Sequence, residues 1–121
     1  NRFLFAEQPS RPDDAVLLAG DISDNLDTLR ETFGHFTAKF GHVFYCPGNH
    51  DLWLRGHEAF KDSVEKWHAI EALCAELSVH TKPKDIGGGV MIVPMLSWYE
   101  PGFDEDPTIE HESLPPVEQA M

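Results

Sequence analysis

The chain has 121 residues, of which 41% are hydrophobic and 11% aromatic. That is the size of one domain, with enough apolar content to pack a core, and it excludes a wholly disordered coil. The formal charge of -12 excludes a general nucleic-acid binder that works through phosphate contacts.

No apolar run approaches the roughly 18 residues of a membrane span, and no signal peptide opens the chain. It starts at Asn1 rather than Met, which points to residues upstream. Cys46 and Cys74 form no C-x-x-C pair, so a thiolate zinc site is not indicated. They read as small apolar residues of a reducing compartment, and no N-x-[ST] acceptor occurs. The expected location is intracellular, in the cytoplasm. Half of the excess charge lies from Pro101 onward, where Asp104, Glu105, Asp106, Glu110, Glu112 and Glu118 stand without a Lys or Arg. This acidic tail, 101–121, is expected to be disordered.

Along the chain, Pro9, Pro12, Asp13 and Asp14 argue against a regular element in the first 14 residues. Ala15 to Ala19 is a short apolar run that predicts a strand covered on both faces. Leu26, Leu29, Phe33, Phe36 and Phe40 recur at spacings of three and four, the period of one helix face. Ser23 or Asp24 is the expected cap of that helix and Gly41 its expected terminator. Val43 to Cys46 predicts a second strand, closed by Pro47 and Gly48, and Asn49 to Gly56 a loop. A second helix is predicted over Asp62 to Leu77, with Val64, Trp67, Ile70, Cys74 and Leu77 inward. The run Gly87-Gly88-Gly89 predicts a turn. Val90 to Leu96 predicts a third strand, pushed toward a sheet edge or bulge by Pro94.

Strand, helix, strand, helix, strand is the grammar of an α/β fold. Parallel strands release their loops at one sheet edge, where ligands usually bind. Two polar segments leave the first two strands: Gly20-Asp21-Ile22-Ser23-Asp24 and Gly48-Asn49-His50-Asp51. Asp, Asn and His brought from separate segments suit a hard divalent cation. Each segment also has a plainer reading, as a helix cap or as a turn. A His directly after a buried strand is harder to explain as turn chemistry.

Taken together, the two segments resemble the calcineurin-like metallophosphoesterase superfamily, with its G-D-x-x-D and G-N-H-D or G-N-H-E blocks. Their separation of 28 positions, 21 to 49, suits the strand-helix-strand unit of that family. The resemblance covers about residues 15 to 99, and Leu96-Ser97-Trp98-Tyr99 resembles a segment of plant and bacterial members. The preceding D-x-H and the later G-H-x-H blocks are absent.

The resemblance implies part of an α/β/β/α sandwich, a partial metallophosphoesterase domain over 1–100. It implies a binuclear centre of divalent ions (manganese, iron, zinc or magnesium) and hydrolysis of a phosphate ester, monoester or diester. Asp21 would bridge the metals and Asn49 would ligate the second. His50 would protonate the leaving group or stabilise phosphoryl oxygens, and Asp51 would steady the loop. Two blocks are too few for two coordination shells, so the chain alone is expected to be inactive.

Arg55 and His57 stand where substrate phosphate is reachable, though solvated surface is the plainer reading. Trp53 and Trp98 suit a pocket mouth or the core. His35, His42, His68, His80 and His111 show no ligand spacing. The alternative is a non-catalytic binding or scaffold module of the same fold. Neither reading predicts a membrane or names a protein partner.

Overall fold

A computed structural model describes residues 10–54 and 59–97. In chain order it holds β1 (Arg11–Leu18), α1 (Leu26–Thr37), β2 (Phe40–Tyr45), a short 3-10 turn (His50–Leu52), α2 (Ser63–Glu76), β3 (Val79–His80), β4 (Lys84–Asp85) and β5 (Met91–Ile92). The first three strands form a parallel sheet in the order β1-β2-β3, and β4 and β5 pair antiparallel as a separate ribbon. The expected α/β class, parallel strands joined by helices, is what the chain adopts.

Side-chain alternation shows where the helices lie. Val16 pairs with Val43, Leu18 with Tyr45, and Val43 with Val79. All five point to the face that packs against Leu29, Phe33 and Phe36 of α1 and Ile70, Leu73 and Cys74 of α2. Both helices therefore cover one face, as two right-handed crossovers stepping the same way require. Each fully buried Leu or Phe in such a core contributes roughly 1.5–3 kcal/mol relative to exposure. The other face carries Leu17, Phe44 and His80, with the Phe44 and His80 rings 5.1 Å apart and Leu17 exposed.

Several boundaries differ from expectation for identifiable reasons. β1 begins at Arg11 and runs through Pro12, Asp13 and Asp14, residues expected to break it. The register slips between Arg11 and Ala15, and this bulge takes up Pro12, which has no N–H to give the ladder. Asn25, not Ser23 or Asp24, caps α1, accepting from Asp27 N and Thr28 N at 2.8 and 3.1 Å. The helix stops at Thr37, so Phe40 continues the apolar period from inside β2. Gly41 is no terminator: it lies within β2, where a Cβ would meet the Pro12 carbonyl oxygen at 1.9 Å.

α2 matches its prediction almost to the residue, with Asp62 as cap, but Val64 is exposed and Lys66 is buried instead. The third parallel strand is Val79–His80, too short to show a period. Met91–Ile92, inside the stretch expected to be that strand, folds back on Lys84–Asp85 across the glycine turn, whose three glycines all have positive φ. Expectations for the acidic tail, Arg55, His57, Trp98 and His111 lie outside the described residues. Among the described residues no helix is long and apolar enough to cross a membrane.

Candidate active site

The two polar segments emerge side by side because β1 and β2 are neighbours. Leu18 pairs with Tyr45, and Cys46 N extends the ladder by donating to Leu18 O at 3.2 Å. Just beyond, the backbones nearly touch. A Cβ on Gly20 would lie 2.0 Å from Gly48 N, and one on Gly48 would lie 2.1 Å from Asp21 Oδ1. Both positions therefore require glycine. Gly20 and Asp21 have successive positive φ values of 78° and 54°, a conformation that Asp tolerates better than most residues.

That sharp turn aims consecutive amides at one point, and Asp51 fills it. Its Oδ1 accepts from Ile22 N and Ser23 N at 2.8 and 2.9 Å. Its Oδ2 accepts from Asp21 N, Gly48 N and the Tyr45 hydroxyl, each at 2.9 Å. Asp51 is fully buried, and five donors on one carboxylate are what make a buried charge tolerable. The amide concavity is of the kind that binds anions in other proteins, but here it is occupied by the chain's own side chain. Burial first, and then the Asp51 carboxylate, push the Tyr45 phenol well above its ordinary range.

The other motif side chains are more accessible than Asp51. Asp21 is exposed, and its Oδ1 accepts from His50 N at 3.2 Å. Asn49 opens the 3-10 turn without a side-chain bond to it and is half-buried. His50 is exposed, with its ring stacked on Trp53 at 3.7 Å between centroids and 27° between planes. The structure thus brings Asp21, His50 and Asp51 into one cluster with Asn49 between them in the chain. Asp24 turns its carbonyl inward rather than capping α1.

Two participants escape the sequence reading. Tyr45 shows only as an aromatic in a strand. Lys66 does carry a signal, because it stands four, seven and eight positions before the buried Ile70, Leu73 and Cys74 and so shares their helix face. Fully buried, its Nζ donates to Asp24 O at 2.6 Å and to Trp53 O.

The carboxylate of Asp21 and the amide oxygen of Asn49 are hard oxygen donors of the kind a divalent ion takes. Among the described residues no three His, Cys, Asp or Glu side chains gather as a metal-holding group. The pair fits a metal as part of a ligand set. A separate open cleft of about 560 Å³ lies along α2, β3 and the following loop, lined by Glu71, Ala75, Val79, His80 and Lys84 among others. None of the motif residues lines it.

The chain is 29% identical to the acyl-carrier-protein phosphodiesterase PptH of Mycobacterium tuberculosis, with 78% of this chain and 32% of the relative covered. It superposes on the crystal structure of phosphopantetheinyl hydrolase (PptH) from the same organism with a TM-score of 0.66 and 28% identity. That match covers 78% of this chain and 36% of the other. The chain thus spans about a third of the length of the relative it matches. The sequence profile of the calcineurin-like phosphoesterases matches residues 2–111, and the chain belongs to the calcineurin-like phosphoesterase family.

Proposed function

We propose that the protein to which this chain belongs is a hydrolase of phosphate esters that works with two divalent metal ions. One observation carries the reading: the exposed Asp21 carboxylate meets the His50 backbone at the tip of two loops locked from behind by Asp51. Asp21 and Asn49 would hold metal, with Asp21 shared between the ions, and other segments would supply the remaining donors. Bound divalent ions supply an activated water at neutral pH and neutralise phosphoryl charge.

The chain's own residues do the rest. His50 gives the proton: its imidazolium N–H donates to the oxygen of the departing alcohol, and the neutral ring is recharged from water. Stacking on Trp53 limits the planes the ring can take, and the bond from His50 N to Asp21 fixes its root beside the metal-binding carboxylate. Asp51 carries no substrate. It holds the amides of Asp21, Ile22 and Ser23 in one place, so the carboxylate of Asp21 cannot drift. Arg55, outside the described residues, is proposed as a contact to substrate phosphate. The relative's name favours a phosphodiester joined to a carrier protein over a simple monoester as substrate.

Single alanine variants of the full-length protein test these roles. Asp21→Ala is expected to lose metal and rate together. Asn49→Ala should weaken mainly one ion and be rescued in part by added metal. His50→Ala should keep both ions yet slow turnover by about 10²–10⁴-fold, the usual contribution of a positioned acid. That deficit should shrink on substrates with good leaving groups. Full activity of His50→Ala on alkyl phosphate esters would remove His50 from the mechanism.

A second reading, a non-catalytic module of the same fold, draws on the incomplete donor set of the described residues. Calorimetry decides between the two. A full-length protein that binds none of manganese, iron, zinc or magnesium is a scaffold.

A further inference from the structure

Lys66 sits where ordinary helix chemistry disfavours it. It lies in the first turn of α2, four residues after the cap Asp62, where the helix dipole is positive and a cation is unwelcome. It is also fully buried, and an ammonium taken out of water gives up its hydration, a loss offset only where its protons find acceptors. An apolar side chain of similar length would avoid both penalties and extend the inward stripe of Ile70, Leu73 and Cys74. Core packing therefore does not account for a lysine here.

What the ammonium touches does account for it. Nζ donates to Asp24 O, the last residue of the first polar segment, and to Trp53 O, the residue that ends the turn bearing His50. These carbonyls are 42 and 13 positions from Lys66 in the chain. Asp51 gathers amide hydrogens from the first segment and from Gly48, while Lys66 donates to the carbonyl at the end of the first segment, Asp24, and to that of Trp53, two residues past the second. Two opposite buried charges thus clamp the same pair of loops through complementary backbone groups.

We propose that Lys66 is a positioning residue for the active site. Through Trp53, which stacks on His50, and through Asp24, it sets the place of the proposed proton donor relative to the proposed metal carboxylate, Asp21. The consequence for catalysis rests on the function proposed above, but the clamp itself does not.

The test uses the full-length protein with Lys66→Met, which keeps length and loses the donors, and Lys66→Arg, which keeps the charge. Backbone hydrogen exchange is followed at Ile22, Ser23, Leu52 and Trp53 and compared with core amides of Val43 and Phe44. Lys66→Met is expected to speed exchange in the loops at least tenfold more than in the core, and Lys66→Arg to restore part of the protection. A merely structural lysine would loosen loops and core alike, and that result, or no change in either, overturns the proposal.

Kinetics on a diester substrate should show kcat falling at least tenfold in Lys66→Met with KM moving less than threefold. An unchanged kcat beside loosened loops would overturn the catalytic consequence. A wild-type protein without metal binding or turnover would count against the proposed function, leaving the exchange result to judge the clamp. If Lys66→Met does not fold, the wild-type ammonium is read by NMR. Slowly exchanging Nζ protons coupled to the Asp24 and Trp53 carbonyl carbons are expected, and a fast-exchanging, uncoupled ammonium overturns the clamp.

Discussion

Gly48 and Asp21 are in contact at the level of the backbone: a Cβ on Gly48 would stand 2.1 Å from Asp21 Oδ1 and 2.7 Å from Asp21 N. The obstacle includes main chain that is itself held by Asp51, so it cannot swing aside as a flexible side-chain tip would. Gly48→Ala is therefore expected to cost about 1–3 kcal/mol, the usual range for overpacking. It should also disturb metal binding, because the carboxylate it strikes is the proposed ligand. Urea denaturation and calorimetry of the same variant check the two effects, and a variant as stable as wild type would contradict the contact.

Asp51→Asn replaces one of two acceptor oxygens with an amide that points its own hydrogens at donors. Stability is expected to fall by about 3 kcal/mol or more, since a fully buried group with five partners loses several at once. Tyr45→Phe removes a single donor and should cost only about 1–2 kcal/mol. Denaturant midpoints of the two variants give the ranking directly. The reverse order would mean that Asp51 is not the hub.

His80 introduces a pH dependence of known sign. Burial first, then the Lys84 ammonium 3.0 Å from its Nε2, then His42, hold its imidazole below the ordinary value of 6.5. Between 6.5 and the folded value, the unfolded chain takes up a proton here that the folded chain resists. Stability should therefore fall as pH drops below 6.5 and level off once the folded value is passed. Measured at pH 7.5 and 5.5, His80→Gln should lose less stability than wild type. Equal losses would rule out His80 as the source.

The two thiols should differ in reactivity. Burial, and then Glu71, push the fully buried Cys74 thiol up to about 12, so almost none of it is thiolate at neutral pH. Cys46 is only half-buried. Alkylation under native conditions, followed by peptide mass mapping, should label Cys46 first, and Cys74 only when denaturant opens the core.

The parts of this fold legible in the sequence are those with a long apolar period or a motif of fixed chemistry. α1 and α2 were readable because Leu29, Phe33 and Phe36 and then Ile70 and Cys74 repeat over several turns. β3 was not, since two residues cannot display a period. Phe40 misled because the helical spacing ran on past the helix into the strand. The placing of Asp51 behind the loop could be expected from resemblance, whereas its five donors could not, as they include amides that any sequence would carry. Lys66 shares the period of the buried α2 face but not its apolar chemistry, so a pattern of apolar spacing does not mark it.

Sequence separation gives the Asp51 hub a kinetic meaning. Its bonds to Asp21, Ile22 and Ser23 join positions 28 to 30 residues apart. Closing a chain segment of that length is entropically unfavourable until other contacts offset it. Pairing of β1 with β2 closes a segment of the same length, as in Leu18 with Tyr45, but gathers ladder bonds and apolar contacts together, so the hub is expected to complete after the strands align across α1. Substitutions at Asp51 should accordingly speed unfolding far more than they slow refolding. A nascent chain released from the ribosome would acquire its sheet before it acquired the geometry of its candidate active site.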